Sequence, residues 1–248
     1  MTPFIAEFIG TTLLILFGNG VVCNVSLSQT NGNKAGWIVI AAGWGIAVFI
    51  GAFCSDKSSG AHLNPAVSIA MFVAGKQALS QTLVYLVAQM AGAMFGALLV
   101  YLFYREHFRV TDDAQAKLAC FSTSPAVRKL DQAFFCEAIG TFVLIFPIFM
   151  MVMPTLQETG VPADKAPILG LGALGLLPVG LLVFGIGLSL GGTTGYAINP
   201  ARDLRPRIVH AILPIPGKRN SDWEYSWIPV VGPIVGGILA ALLFRCVN

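Results

Sequence analysis

Charged side chains are scarce in this chain of 248 residues: 15 Lys and Arg with 12 Asp and Glu make up 11% of it, against about 25% in an ordinary soluble domain. So few charges cannot clothe a water-facing surface, and a composition that is 56% hydrophobic, with mean hydropathy +0.76, excludes disorder. Basic runs are missing as well, and a net charge of +3 leaves no electrostatic footprint for nucleic acid. The five cysteines (Cys23, Cys54, Cys120, Cys136 and Cys246) form no C-x-x-C and no Cys/His pair. Neither a disulfide framework nor a metal site is expected from them, only apolar packing. No basic segment precedes the first apolar run, so a first membrane span is expected there rather than a cleaved signal peptide.

What the chain does have is long apolar runs. Six are near the roughly 20 residues that a membrane-crossing helix needs: about 4–23, 35–54, 80–104, 132–153, 168–190 and 225–246. They are continuous rather than alternating, so helices are predicted and not a barrel. Two shorter stretches, 64–75 and 199–211, each begin Asn-Pro-Ala. Asn as N-cap and Pro at the first helical position are a strong helix start, and about twelve residues reach only about 18 Å, half a bilayer. The predicted fold is therefore an all-α membrane protein with six transmembrane helices and two re-entrant half-helices.

The sequence also repeats. Glu7-Phe8-Ile9-Gly10-Thr11 returns as Glu137-Ala138-Ile139-Gly140-Thr141, and Gly60 to Ala66 returns as Gly195 to Ala201. Val87–Leu99 matches Val231–Leu243, with Gly92 over Gly236. Gly92-xxx-Gly96, Gly232-xxx-Gly236 and Gly236-xxx-Ala240 put small residues on single helix faces for close approach. A single channel domain over 1–248 is expected, with repeat one at about 1–104, a connecting loop at 105–131 and repeat two at about 132–248. Three spans per half is an odd number, so the repeats must be inverted, and their broken helices point to a site at the midplane.

The two motifs SGAHLNPAVS (59–68) and TGYAINPARD (194–203) make the chain resemble the aquaporins and glycerol facilitators, the major intrinsic proteins, over nearly its whole length. The resemblance implies a pore lined by the two Asn-Pro-Ala motifs, Asn64, Pro65, Ala66 and Asn199, Pro200, Ala201. Carbonyls and side chains of Gly60, Ala61, His62, Leu63, Gly195, Ala197 and Ile198 would line it further. It implies a selectivity filter of Trp44, Gly187, Tyr196 and Arg202, with Glu7, Glu137 and Asp203 supporting the loops. It also implies a homotetramer in the cell membrane with cytoplasmic termini; no cofactor and no metal are expected. The opposed helix starts, each carrying about half a positive charge, would oppose cations. An intramembrane arginine such as Arg202 marks function by default.

Gly187 falls where water-selective members usually carry histidine. With Asp203, Arg207 and Pro229-Val230 it resembles the glycerol-conducting branch, so glycerol and water are the expected solutes, with urea and other small polyols as further candidates. A water-selective pore is the runner-up; an ion-coupled transporter, a membrane enzyme and a closed junction protein are the readings from other classes. Glu7 and Glu137 could otherwise be proton relays, His62 a packed histidine or a pH gate, Trp44 and Tyr196 ordinary packing aromatics, and the two asparagines plain helix caps. Two features sit badly with the resemblance. Arg205 stands where the family usually has glycine, so it must snorkel outward or disturb the half-helix. Only Lys57, Lys76, Lys165 and Arg245 fall on the expected cytoplasmic side, leaving eleven cations on the other, against the positive-inside tendency.

Overall fold

The computed structural model describes residues 1–152, 154–155 and 168–248; residue 153, the predicted end of the fourth span, and Lys165 lie outside the described residues. Helix α1 covers Pro3–Ser26, α2 Trp37–Ser59, α3 Pro65–Val73, α4 Leu79–Val110, α5 Ala114–Ala119, α6 Leu130–Met150, α7 Leu177–Ser189, α8 Pro200–Ile212 and α9 Ile228–Val247. A 3-10 turn, Gly172–Leu176, leads into α7. Six of these segments (α1, α2, α4, α6, the 3-10 turn with α7, and α9) are long and apolar enough to cross a membrane. The short α3 and α8 start as predicted: Pro at the first turn, with the Asn64 side chain accepting from the Ala66 amide and Asn199 from the Ala201 and Arg202 amides.

Three boundaries differ from the hydropathy reading by five residues or more, the first being the second span, whose helix runs on from 54 to Ser59. The third span runs on to Val110: Arg105, Glu106 and Arg109 end the apolar run without ending the helix, and Glu106 and Arg109 form an exposed i,i+3 pair on its last turns. The fifth span starts later than 168: Ile168 forms an isolated antiparallel bridge with Thr155, and α-helix begins only after a glycine-containing 3-10 turn.

The two repeats make the same crossing twice. A methyl group at Gly92 of α4 would sit 2.4 Å from the Phe8 carbonyl oxygen of α1, and one at Gly236 of α9 would sit 2.0 Å from the Ala138 carbonyl oxygen of α6. Phe8 and Ala138 are equivalent positions, as are the two glycines, so backbone contact at both crossings requires residues without a side chain. Each half-helix packs chiefly on the last span of the other repeat, α3 on α9 and α8 on α4. The outer face of the bundle is apolar, with Val87, Phe103, Ile38 and Leu181 all exposed. Polar groups are instead collected inside. Arg205 leaves α8 unbroken.

Candidate functional site: the passage between the two half-helices

The chain enters each half-helix through an extended segment of unusual backbone. Gly60, Ala61 and Leu63 have φ of 77°, 52° and 51°, and Gly195, Tyr196 and Ile198 have 83°, 39° and 43°. A β-branched residue such as Ile198 rarely adopts positive φ, so something must hold it there. The holders are the two duplicated glutamates. Glu7 accepts the His62 and Leu63 amides at 2.9 and 2.8 Å, together with Ser59 Oγ and Gln89 Nε2. Glu137 accepts the Ala197 and Ile198 amides at 3.0 and 2.8 Å, together with Thr194 Oγ1. Both glutamates are fully buried and line neither cavity described below, which is the geometry of a fixed acceptor and not of a proton carrier.

Where the half-helices meet, the asparagines cross over. Asn64 Nδ2 donates to the Ile198 carbonyl at 2.8 Å, and Asn199 Nδ2 donates to the Leu63 carbonyl at 2.9 Å. A plain capping role uses only their oxygens; the reciprocal pair of amide donors ties one repeat to the other. His62 borders the first cavity described below, with its Nδ1 3.0 Å from Ser68 Oγ and its ring edge-on to Tyr85.

Two cavities lie along this meeting line. The first, about 170 Å³, is bounded by Gly60–Asn64, Ala197–Asn199 and the apolar walls Leu14, Val48 and Leu144. The second, about 280 Å³, opens toward Gln115 and the hydroxyls of Ser122, Thr123 and Ser124. Three residues border both cavities, Trp44, Tyr196 and Arg202, and they form the neck between them. The Arg202 guanidinium carbon stacks 4.1 Å over the Trp44 ring. Its Nη1 is buried with no hydrogen-bond partner among the described residues, as is the Tyr196 hydroxyl.

Arg202 stays uncommitted because the adjacent acid is occupied. Asp203 accepts from Arg207 through Oδ1 and from the Thr123 amide and hydroxyl through Oδ2, at 2.7–2.8 Å. Arg207, fully buried, continues to the carbonyls of Thr123, Ser221 and Asp222. Gly187 borders neither cavity. A methyl group there would lie 2.9 Å from Cζ and the hydroxyl oxygen of Tyr196, so the Tyr196 ring occupies the space that a side chain at 187 needs.

Sequence reasoning missed several parts of this assembly. Trp37 donates to the Gly187 carbonyl at 2.8 Å and sets its ring edge-on to Tyr196. Thr123 belongs to the loop network, and Arg128 grips Asp222 through two bonds of 2.8 Å. An aromatic at a span start and a polar loop carry no signal for these contacts. Arg128 lowers the Asp222 pKa below its ordinary 3.8. A depressed carboxylate contributes stability above its unfolded pKa and loses it as pH falls toward the folded one. Thermal unfolding is therefore expected to move little above about pH 5 and to fall below about pH 4, and Asp222→Asn should remove part of that fall.

Six spans, two opposed half-helices and two cavities joined at a neck define a polytopic membrane protein with a passage through its middle. The family model described as Major intrinsic protein matches residues 1–244, and the chain belongs to that family. It is 51% identical to the probable glycerol uptake facilitator protein of Thermotoga maritima, over 99% of each chain. It is 49% identical to the glycerol uptake facilitator protein of Streptococcus pneumoniae, over 98% of each. The X-ray structure of the aquaglyceroporin from Plasmodium falciparum superposes with a TM-score of 0.79 at 33% identity, covering 97% of this chain and 93% of that one.

Proposed function

We propose that this protein is a passive channel for glycerol and water, with urea and other small polyols as further solutes, and that it excludes protons and ions. The observation that carries the reading is the neck: aromatic surface from Trp44 and Tyr196 beside a buried arginine N–H without a partner. A polyol has CH groups on one edge and hydroxyls on the other, and it fits a lining that is apolar on one side and donates on the other. Relatives named glycerol uptake facilitators at about half identity support the same solute.

The roles follow the chemistry. Arg202 donates to solute hydroxyls and repels cations. Asn64 and Asn199 each keep one amide hydrogen for a passing oxygen at the helix starts, whose dipoles oppose positive charge. Carbonyls of Gly60–Leu63 and Gly195–Ile198 replace lost hydration. Glu7, Glu137 and Asp203 hold these segments in place.

The protein acts as a homotetramer in the cell membrane with cytoplasmic termini. The excess of cations on the far side weighs less against that orientation than its number suggests, because three of the eleven are structural: Lys117 donates to the Pro216 carbonyl, Lys218 donates to carbonyls at the end of α8, and Arg207 is buried.

Stopped-flow light scattering on proteoliposomes tests the function. Fast glycerol re-swelling, absent from empty liposomes and indifferent to proton or sodium gradients, is the expected result. Arg202→Val should raise proton leak at least tenfold, since a unit charge about 4 Å away contributes about 4 kcal/mol at an effective dielectric near 20. Fast water flux without glycerol flux would make the pore water-selective, and gradient-dependent glycerol flux would make the protein a coupled transporter.

A further inference from the structure

Arg205 lies outside the passage, in an open cleft between α8 and the membrane-facing side of α4. Its neighbours there are Leu86, Val87, Met90, Ala91 and Met94. The cleft continues past Ala91 and Met94 along Val209 and Ile212. Val87 and Ile212, 62% and 68% exposed, place it on the outside of the bundle. Every wall is apolar, yet the arginine Nε is buried without a hydrogen-bond partner, and no acid pairs with the side chain among the described residues. A guanidinium stays charged in any protein environment, and an unpaired charge at membrane depth is costly.

We propose that Arg205 holds the headgroup phosphate of an anionic phospholipid, whose acyl chains lie in the apolar cleft between α4 and α8. The planar guanidinium matches phosphate through paired N–H donors, and the rest of the cleft suits hydrocarbon. Among the described residues, a second copy of the chain offers no equivalent counter-charge at that depth. Within the spanning helices, Glu7 and Glu137 are buried and fully engaged, and Asp56, Glu106 and Asp131 lie near helix ends. Arg205 borders α4 from Leu86 to Met94, which lie about 11 to 22 Å from the start of that helix at 1.5 Å per residue. An arginine side chain reaching toward the Leu86 end and a locally thinned leaflet bridge the shorter end of that range.

The test compares the full-length protein with Arg205→Met in nanodiscs of phosphatidylglycerol and of phosphatidylcholine. The native chain should unfold several degrees higher in phosphatidylglycerol and, after detergent extraction, should retain it about tenfold over phosphatidylcholine by native mass spectrometry. Arg205→Met should lose both preferences while its glycerol and water fluxes stay unchanged. Val87→Trp, which fills the cleft from the α4 side and leaves the charge in place, should lose lipid retention too. Equal preference in the native chain and Arg205→Met would overturn the proposal. So would stabilisation of the delipidated protein by inorganic phosphate to the same degree, or an Arg205-dependent dimer that persists without lipid.

Discussion

Gly187→His is expected to cut glycerol flux at least tenfold, a barrier increase of about 1.4 kcal/mol, while water flux is largely kept. The first side-chain carbon alone would come within 2.9 Å of Tyr196 and 3.0 Å of the Ala41 methyl, closer than packed atoms tolerate. Ala41 is fully buried on α2 and has nowhere to go, so the tyrosine ring must yield. The ring borders both cavities, so a shift of the ring changes the width of the neck. An imidazole adds donor capacity there but removes the width that a carbon chain needs. Gly187→Ala should produce a smaller decrease of the same kind. Stopped-flow flux measured for both solutes decides the matter: unchanged glycerol flux in Gly187→His would mean that the ring finds another rotamer and that the neck does not set the size limit.

Glu137→Ala should be strongly destabilising. It leaves the Ala197 and Ile198 amides and the Thr194 hydroxyl without their acceptor. An unsatisfied buried donor costs roughly 1–3 kcal/mol, so a total of about 4 kcal/mol is expected, together with loss of flux as Tyr196 and Ile198 leave their positive-φ geometry. Glu137→Gln keeps the shape but turns one acceptor into a donor facing an amide, and an intermediate loss is expected. Thermal unfolding in detergent measures both. If Glu137→Ala unfolded at the native temperature, the backbone of the segment would be held by packing alone.

Much of this architecture is legible in the sequence because membrane helices are written in long apolar runs and half-helix starts in Asn-Pro-Ala. Duplication made the glutamates visible: Glu7 and Glu137 stand out only because their neighbours repeat. Helix ends were less legible, since Arg105 and Glu106 end the hydropathy signal without ending the helix. The partners of the neck were not legible at all. Thr123 meets Asp203 across 80 residues and Arg128 meets Asp222 across 94; nothing local marks either pair. Gly187 illustrates a different limit. An absent side chain is plain in the sequence, but which neighbour fills its space is settled only by packing.

The exchange of half-helices between repeats bears on how the protein is made. Since α3 rests chiefly on α9, the first repeat leaves the ribosome with a half-helix whose main support is the last span to be synthesised. The second half-helix, by contrast, finds α4 already in the membrane. Assembly of the passage is thereby deferred until the C-terminal helix inserts. A chain interrupted before that point carries spans but lacks the helix on which α3 chiefly packs.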